Sequence, residues 1–214
     1  RLMEEKKHFV ITIGRQYGSG GRLVGKKLAE ELGVHFYDEE ILKMTSEESA
    51  IGEKYFRLAD EKAGNNLLYR IVSDRKPELG EPSTGDNLSS PDNLFRFQAS
   101  VIRRLAAEES CIFAGRCADY VLEEAGLDCL VRIFVYADFP TRVQRAMDVD
   151  KIDEKEAVRR IKRIDKERKD YYRYYTGKDW MDMNNYDLPI NASRINFDEM
   201  AILIKNYLKL KKLL

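Results

Sequence analysis

The chain has 214 residues, and its 37 basic and 37 acidic side chains cancel to a formal net charge of zero. This balance excludes an overall basic field for nucleic acid or a membrane surface, so any anion site must be local. The three cysteines form no C-x-x-C pair, which disfavours a zinc site or a disulfide framework. We therefore expect a soluble cytoplasmic protein with reduced thiols, with no nucleic-acid or membrane partner and no assigned metal ligands.

The first predicted elements are a strand, a glycine-rich turn and a helix in direct succession. The strand covers residues 9–13, the turn contains Gly18, Gly20 and Gly21, and the helix ends at Gly33. In a P-loop this order brings backbone N–H groups and a helix N-terminus onto a phosphate, and glycines permit its close approach. A ligand-free turn can have the same glycines, but the adjoining arginines favour phosphate binding.

The turn departs from the standard sequence G-x-x-x-x-G-K-[ST]. With Gly20 as the second glycine, Arg15 stands in place of the first glycine, Gly21 in place of the lysine and Arg22 in place of the Ser/Thr. We predict that Arg22, together with Arg15, supplies the positive charge, because a guanidinium can contact two phosphate oxygens at once. Ser19 offers a hydroxyl, but it precedes position 22, the place of the usual magnesium ligand.

Helices and short apolar strands alternate along the rest of the chain. Further strands are predicted at 34–38, 111–114, 130–135 and 186–191. Helices are predicted at 39–50, 94–109, 118–125, 139–147, 153–174 and 197–210. A helical stretch at 51–75 and a mobile loop at 76–93, rich in Pro, Gly and Ser, separate the second strand from the third. Short strands separated by helices indicate a parallel sheet covered on both faces, so the predicted fold is α/β of the P-loop NTPase type.

The helix predicted at 153–174 is rich in both arginine and acidic residues. Its arginines could form a solvated face paired with acids one turn away. Arg163 and Arg168 differ by five positions, about 140° around the helix, so both cannot face one phosphate unless the helix breaks or closes over it. The tyrosines at 171–175 could stack on a base or form a dimer surface, although packing in the core is the favoured interpretation.

Together these motifs resemble the cytidylate kinase-like family, a divergent branch of the nucleoside monophosphate kinases. The resemblance covers nearly the whole chain and rests on the phosphate loop and on residues 36–38, 114–119, 131–137, 165–168 and 187–191. It implies a single P-loop kinase-like domain at 1–214, with a helical monophosphate-binding insertion at 39–93 and an arginine-bearing LID at 150–180.

The resemblance also implies roles for individual side chains. Arg116 matches the family's Gly-Arg motif that contacts the acceptor, and Asp119 lies two residues beyond the acid that follows this arginine there. Asp38, at the end of the second strand, could position the acceptor or a sugar hydroxyl, or only cap the next helix. The catalytic assignments are Arg22, Arg163 and Arg168. The nucleotide-binding assignments are Arg15, Gly18, Ser19, Gly20, Gly21 and Arg22, and the substrate-binding assignments are Asp38, Arg116, Asp119 and Asp165.

The activity that the resemblance implies is transfer of the γ-phosphoryl group of ATP, with Mg²⁺, to a pyrimidine monophosphate such as CMP or dCMP. A phosphate acceptor is already ionised at neutral pH, so the arginines would mainly neutralise the transferred charge. The missing lysine keeps open a nucleotide-binding regulator without turnover, and a kinase for another small acceptor is equally allowed. A purely structural protein would leave the glycine turn and the Gly-Arg motif unexplained.

Overall fold

The computed structural model describes residues 7–53, 55, 57, 78–83 and 88–214. The strands in this part of the chain are β1 (Val10–Arg15), β2 (His35–Tyr37), β3 (Cys111–Ala114), β4 (Leu130–Tyr136) and β5 (Leu188–Asn191). They form one sheet in the order β2-β3-β1-β4-β5, and every adjacent pair is parallel. Each strand coincides with a predicted one, so the predicted parallel sheet is confirmed.

Helices connect these strands. Among the described residues they are α1 (Gly21–Leu32), α2 (Glu40–Ser49), α3 (Pro91–Glu108), α4 (Ala118–Glu124), α5 (Phe139–Asp150), α6 (Glu154–Thr176) and α7 (Phe197–Leu210), with a 3₁₀ turn at Met183–Asn185. Most of the helix predicted at 51–75 lies outside the described residues. The α/β fold of the P-loop type is confirmed.

β1 lies at the centre of the sheet and separates two hydrophobic cores. Val10 faces the core that contains Phe113 and side chains of α3, α4 and α6, whereas Ile11 and Ile13 face the core formed with α1 and α7. Successive side chains of a strand point to opposite faces, so a central strand such as β1 contributes buried side chains to both cores. The carboxyl end of β1 therefore opens in the middle of one sheet edge, where ligands of α/β proteins usually bind.

α3 begins earlier than the sequence pattern suggested. Ser90 caps it by accepting a hydrogen bond from the Asn93 N–H at 3.3 Å, and Pro91 occupies its first turn. Proline suits this position because its missing N–H would have no helical partner there. The assignment of 91–93 to a mobile loop is therefore wrong, while residues 76, 77 and 84–87 of that loop lie outside the described residues.

The aromatic residues of α6 pack into the core, as favoured from the sequence. The ring of Tyr175 stacks on Phe95 with 4.0 Å between centroids, and Tyr172 is also buried. Trp180 lies edge-on against Phe134 at 5.2 Å. These contacts hold the carboxyl end of α6 against α3 and the segment that follows α6 against β4.

Candidate functional site

Two strand-to-helix turns lie side by side at the carboxyl edge of the sheet. The first turn (residues 16–20) joins β1 to α1, and the second turn (residues 115–117) joins β3 to α4. The turns are neighbours because β1 and β3 pair directly.

The first turn has the backbone conformation that its glycines predict. Gly18 and Gly20 have φ of 78° and 89°, values that L side chains adopt at a cost. A Cβ at Gly18 would lie 2.5 Å from the carbonyl oxygen of Arg142, so the turn also packs closely against α5. Ser19 is buried, and its hydroxyl accepts a hydrogen bond from the Gly21 N–H at 3.4 Å.

α6 holds the first turn from outside. Arg168 donates from Nη1 to the carbonyl oxygen of Arg15 at 2.9 Å. Asp165 accepts the Tyr17 N–H at 2.8 Å. The structure thus places Asp165 beneath the turn, as a support for its backbone.

α5 adds two arginines that the sequence did not single out. Arg142 donates from Nη1 to Asp165 at 2.6 Å, and Arg145 donates to the carbonyl oxygen of Ser19 at 2.7 Å. Nothing in the sequence distinguished them from the other charged residues of this helix, because their role depends on how α5 packs. Four side chains from α5 and α6 therefore shape the first turn.

A cleft of about 460 Å³ opens between the two turns and α6. Its charged lining residues are Arg15, Arg22, Asp38, Glu39, Arg116, Asp119, Glu167 and Arg168. Its aromatic lining residues are Tyr17, Tyr171, Tyr172, Trp180 and Tyr186. A smaller cavity of about 150 Å³ is lined in part by Gly18, Gly20, Gly21 and Phe197. It shares Arg15, Tyr17, Arg22 and Arg168 with the cleft, so the first turn borders both spaces.

Asp38 pairs with two arginines in the cleft. Its Oδ2 lies 2.6 Å from Nε of Arg22, and its Oδ1 lies 3.8 Å from Nη2 of Arg15. The side chain of Arg22 is 54% exposed, whereas that of Arg15 is 14% exposed. Arg15 is thus the more enclosed of the two guanidiniums, and Arg22 is already engaged by a carboxylate.

The buried arginines create an environment that favours an anion. Burial, and next the charge of Arg168, lower the pKa of Arg15 to about 9. Burial also lowers the pKa of Arg168. Nε of Arg15 is buried and has no hydrogen-bond partner among the described residues. Charged groups in this condition are stabilised by a ligand of opposite charge.

The second turn carries backbone strain at the cleft. Gly115, Arg116 and Cys117 have φ of 68°, 61° and 53°, so three successive residues are left-handed and two of them are not glycine. A left-handed backbone at a residue other than glycine costs of order 1–3 kcal/mol of folding free energy, and such residues are often found at functional sites. A Cβ at Gly115 would lie 2.5 Å from Nη1 of Arg15, so this glycine leaves space for that guanidinium.

Asp119 lies below the cleft in a buried network. Its Oδ2 accepts the hydroxyl proton of Tyr172 at 2.8 Å, and burial raises the pKa of its carboxyl. This bond links α4 to α6 and gives the buried carboxyl the hydrogen-bond partner that burial requires.

The arginines of α6 are separated by the helix rotation, as expected from their spacing. Arg168 lines the cleft, whereas Arg163 pairs with Glu167 at 3.0 Å and has a 52% exposed side chain. Arg163 is absent from the described residues that line the cleft. The structure therefore brings together Arg15, Arg22, Asp38, Arg116, Asp119 and Arg168, but not Arg163.

The described residues contain no group of three or more His, Cys, Asp or Glu side chains arranged to hold a metal ion. None of the helices in this part of the chain combines the length and apolar character needed to cross a membrane.

Comparisons with known proteins agree over most of the chain. The model of the cytidylate kinase-like family matches residues 10–194. A cytidylate kinase from Methanopyrus kandleri is 28% identical over 204 residues, which cover 92% of this chain and 91% of the relative. A cytidylate kinase from Thermoplasma acidophilum is 30% identical over 197 residues, covering 92% and 90%. The crystal structure of an uncharacterized protein from Eubacterium ventriosum matches with a TM-score of 0.67 and 28% identity, over 94% of this chain and 99% of that one.

Proposed function

Because the chain belongs to the cytidylate kinase-like family, we propose that it transfers the γ-phosphoryl group of ATP to a nucleoside monophosphate, with CMP or dCMP as the acceptor. The observation that carries the proposal is the arginine-lined cleft, in which the carboxyl ends of β1, β2 and β3 and one face of α6 meet beside a glycine turn. The names of the two relatives support the choice of acceptor.

The chemistry of phosphoryl transfer suits this residue set. The enzyme's main tasks are to align donor and acceptor and to neutralise charge on the transferred group. N–H groups at the start of α1 and the guanidiniums of Arg15 and Arg22 would hold the donor phosphates. Arg116 and Asp38 would hold the acceptor, and Arg168, which also lines the cleft, would act between the two bound phosphates. Arg163 would take part only if α6 rotates or closes.

Magnesium fits the proposal as a companion of the nucleotide. Mg²⁺ keeps several waters and is bound through one or two carboxylates and the substrate phosphates, so a dedicated cluster of ligands is not required. The cleft offers the carboxylates of Asp38, Glu39 and Glu167, which would accept hydrogen bonds from magnesium-bound waters. Bound Mg²⁺ would supply charge neutralisation on the donor phosphates.

The domain division is proposed on the same basis. We assign residues 39–93 to monophosphate binding and 150–180 to the LID. The contacts of Arg168 and Asp165 with the first turn support the LID assignment, because they couple α6 directly to the donor site. A homodimer stays a prediction.

A nucleotide-binding regulator without turnover is the second candidate. The observation that favours it is the presence of Gly21 and Arg22 where the standard loop has lysine and Ser/Thr.

Two measurements test the proposal. Calorimetric titration with ATP and Mg²⁺ should give binding, and a coupled assay for ADP release should give turnover with CMP or dCMP above that with UMP, AMP and small metabolites. Binding without turnover on any acceptor would favour the regulator. No binding at millimolar ATP would contradict both candidates.

A further inference from the structure

We infer that Arg15 is the cation that replaces the missing lysine, and that Gly21 is glycine because Arg15 occupies the space of its side chain. The inference deepens the proposed function and rests on it. Compared with the standard motif, the glycine and the cation have exchanged places: the cation is at the first position and the glycine is at the seventh.

The first argument is steric. A Cβ built at Gly21 would lie 2.5 Å from Cβ of Arg15 and 3.1 Å from its Cγ. The nearest atom after these is Cβ of Val135 at 3.2 Å, which a shift of a few tenths of an ångström would relieve. The serious conflict is therefore with residue 15, and a Cβ at both positions would force one of the two backbone segments to shift. The standard sequence also has glycine at one of these two positions, but at the first, with lysine at the seventh.

The second argument is that the backbone does not require glycine at position 21. Gly21 is the first residue of α1 and has helical backbone angles, unlike Gly18 and Gly20, whose φ is positive. Glycine in a helix is normally unfavourable relative to alanine. The packing of Arg15 is the feature of the structure that explains this glycine.

The third argument is the course of the Arg15 side chain. It crosses Gly21 and brings Nη1 to 2.5 Å from the position that a Cβ of Gly115 would take. The two glycines thus form a channel that directs the guanidinium into the cleft. The guanidinium lines the cleft, where an anion can reach it, while its enclosed Nε has no hydrogen-bond partner among the described residues.

Arg22 is less suited to the same task. Its Nε is bonded to Asp38 at 2.6 Å and its side chain is 54% exposed. An enclosed, directed guanidinium loses less side-chain freedom on binding phosphate than an exposed one, so pre-organisation favours Arg15.

A set of four variants tests the exchange. Gly21→Lys introduces the conflict, Arg15→Gly removes the cation, and Arg15→Gly/Gly21→Lys restores the standard arrangement. Arg15→Ala/Gly21→Lys is the matched control, because it keeps a Cβ at position 15. We expect each single variant to lose about 100-fold in kcat with CMP, in line with loss of one charge-stabilising donor. The double variant with glycine should recover to within about 10-fold of the native chain, and the alanine control should not.

Thermal unfolding of Gly21→Ala and Arg15→Gly/Gly21→Ala provides a readout that does not need activity. Gly21→Ala should lower Tm, and adding Arg15→Gly should restore most of the loss. Equal Tm values for Gly21→Ala and the native chain would overturn the steric argument. Near-native turnover of Arg15→Gly would overturn the cationic role.

Failure of the inference differs from failure of the proposed function. If the native chain binds no ATP, the proposed function fails while the Tm comparison still decides the packing of Arg15 on Gly21. Suppose that the native chain phosphorylates CMP and that kcat of Arg15→Gly/Gly21→Lys is no higher than that of Arg15→Ala/Gly21→Lys. The inference that Arg15 replaces the lysine is then wrong, while the kinase proposal stands.

Discussion

The first and second turns occupy equivalent places after neighbouring strands, yet they are stabilised differently. The first turn adopts its shape with glycines and is bonded from outside by α5 and α6. The second turn is left-handed at two non-glycine residues and is closed by local bonds, such as that from the Ala118 N–H to the Gly115 carbonyl at 3.1 Å. The first turn, on the proposed donor side of the cleft, therefore depends on the positions of α5 and α6, whereas the second turn, on the proposed acceptor side, is closed by bonds within its own segment.

The largest expected effect comes from breaking the external support of the first turn. Arg168→Ala removes a guanidinium from the cleft and the bond to the Arg15 carbonyl, so kcat should fall by about 1,000-fold. Arg163→Ala, on the same helix, is the matched control and should stay within about twofold, because an exposed pair contributes little. Steady-state kinetics check both. A large loss in Arg163→Ala would instead support its predicted catalytic role and would require α6 to move.

The next effect concerns the point where the two turns touch. Gly115→Ala places a Cβ 2.5 Å from Nη1 of Arg15 and a side chain at φ 68°. Displacing the guanidinium by about an ångström should lower kcat about 100-fold. The strained backbone should lower the free energy of unfolding by of order 1–3 kcal/mol. Denaturant unfolding and kinetics measure the two effects, and unchanged kcat would show that Arg15 is not constrained by the second turn.

A smaller effect separates strain from binding in the second turn. Arg116→Gly and Arg116→Ala both remove the guanidinium and should raise KM for the acceptor about 10-fold, as expected for loss of a charged hydrogen bond. Only glycine relieves the left-handed strain, so Arg116→Gly should be about 1 kcal/mol more stable than Arg116→Ala. Urea unfolding makes this comparison. Equal stability of the two variants would mean that the turn stores no strain at this residue.

The smallest effect is expected at Asp119. Burial raises the pKa of this carboxyl, so its ionised form destabilises the folded state at neutral pH, and this penalty declines as pH falls. Asparagine can still accept the Tyr172 hydroxyl without carrying charge. The stability gain of Asp119→Asn over the native chain should therefore be greatest near about pH 7 and shrink toward about pH 4. Urea unfolding across this pH range tests whether the stability gain rises or falls with pH. If Asp119→Asn also raises KM for the acceptor well beyond about twofold, the predicted substrate-binding role of Asp119 is supported.

The sequence predicted the fold and the first turn because both depend on local patterns. Apolar strands such as β1, the stop of α1 at Gly33 and the final helix at 197–210 are all found where the periodicity placed them. The packing of the tyrosines at 171–175 was also predicted, because aromatic side chains carry large apolar surfaces that are usually buried in the core.

The contacts between distant segments could not be predicted. In the sequence, Arg142 and Arg145 do not differ from surface arginines, and only the packing of α5 against the first turn reveals their contacts with Asp165 and Ser19. The packing of Arg15 against Gly21 also cannot be read from the sequence, although two of the three departures from the standard motif fall on those two positions. The support that Asp165 gives to Tyr17 joins residues 148 positions apart, which no local pattern reveals.

The most direct test of the account is a crystal structure with a non-hydrolysable ATP analogue, Mg²⁺ and CMP. The account predicts donor phosphates against the N–H groups at the start of α1, with a phosphate oxygen within hydrogen-bond distance of the Arg15 guanidinium and the CMP phosphate near Arg116. A triphosphate bound away from the first turn, or bound there with Arg15 still enclosed and in contact with protein alone, would contradict it.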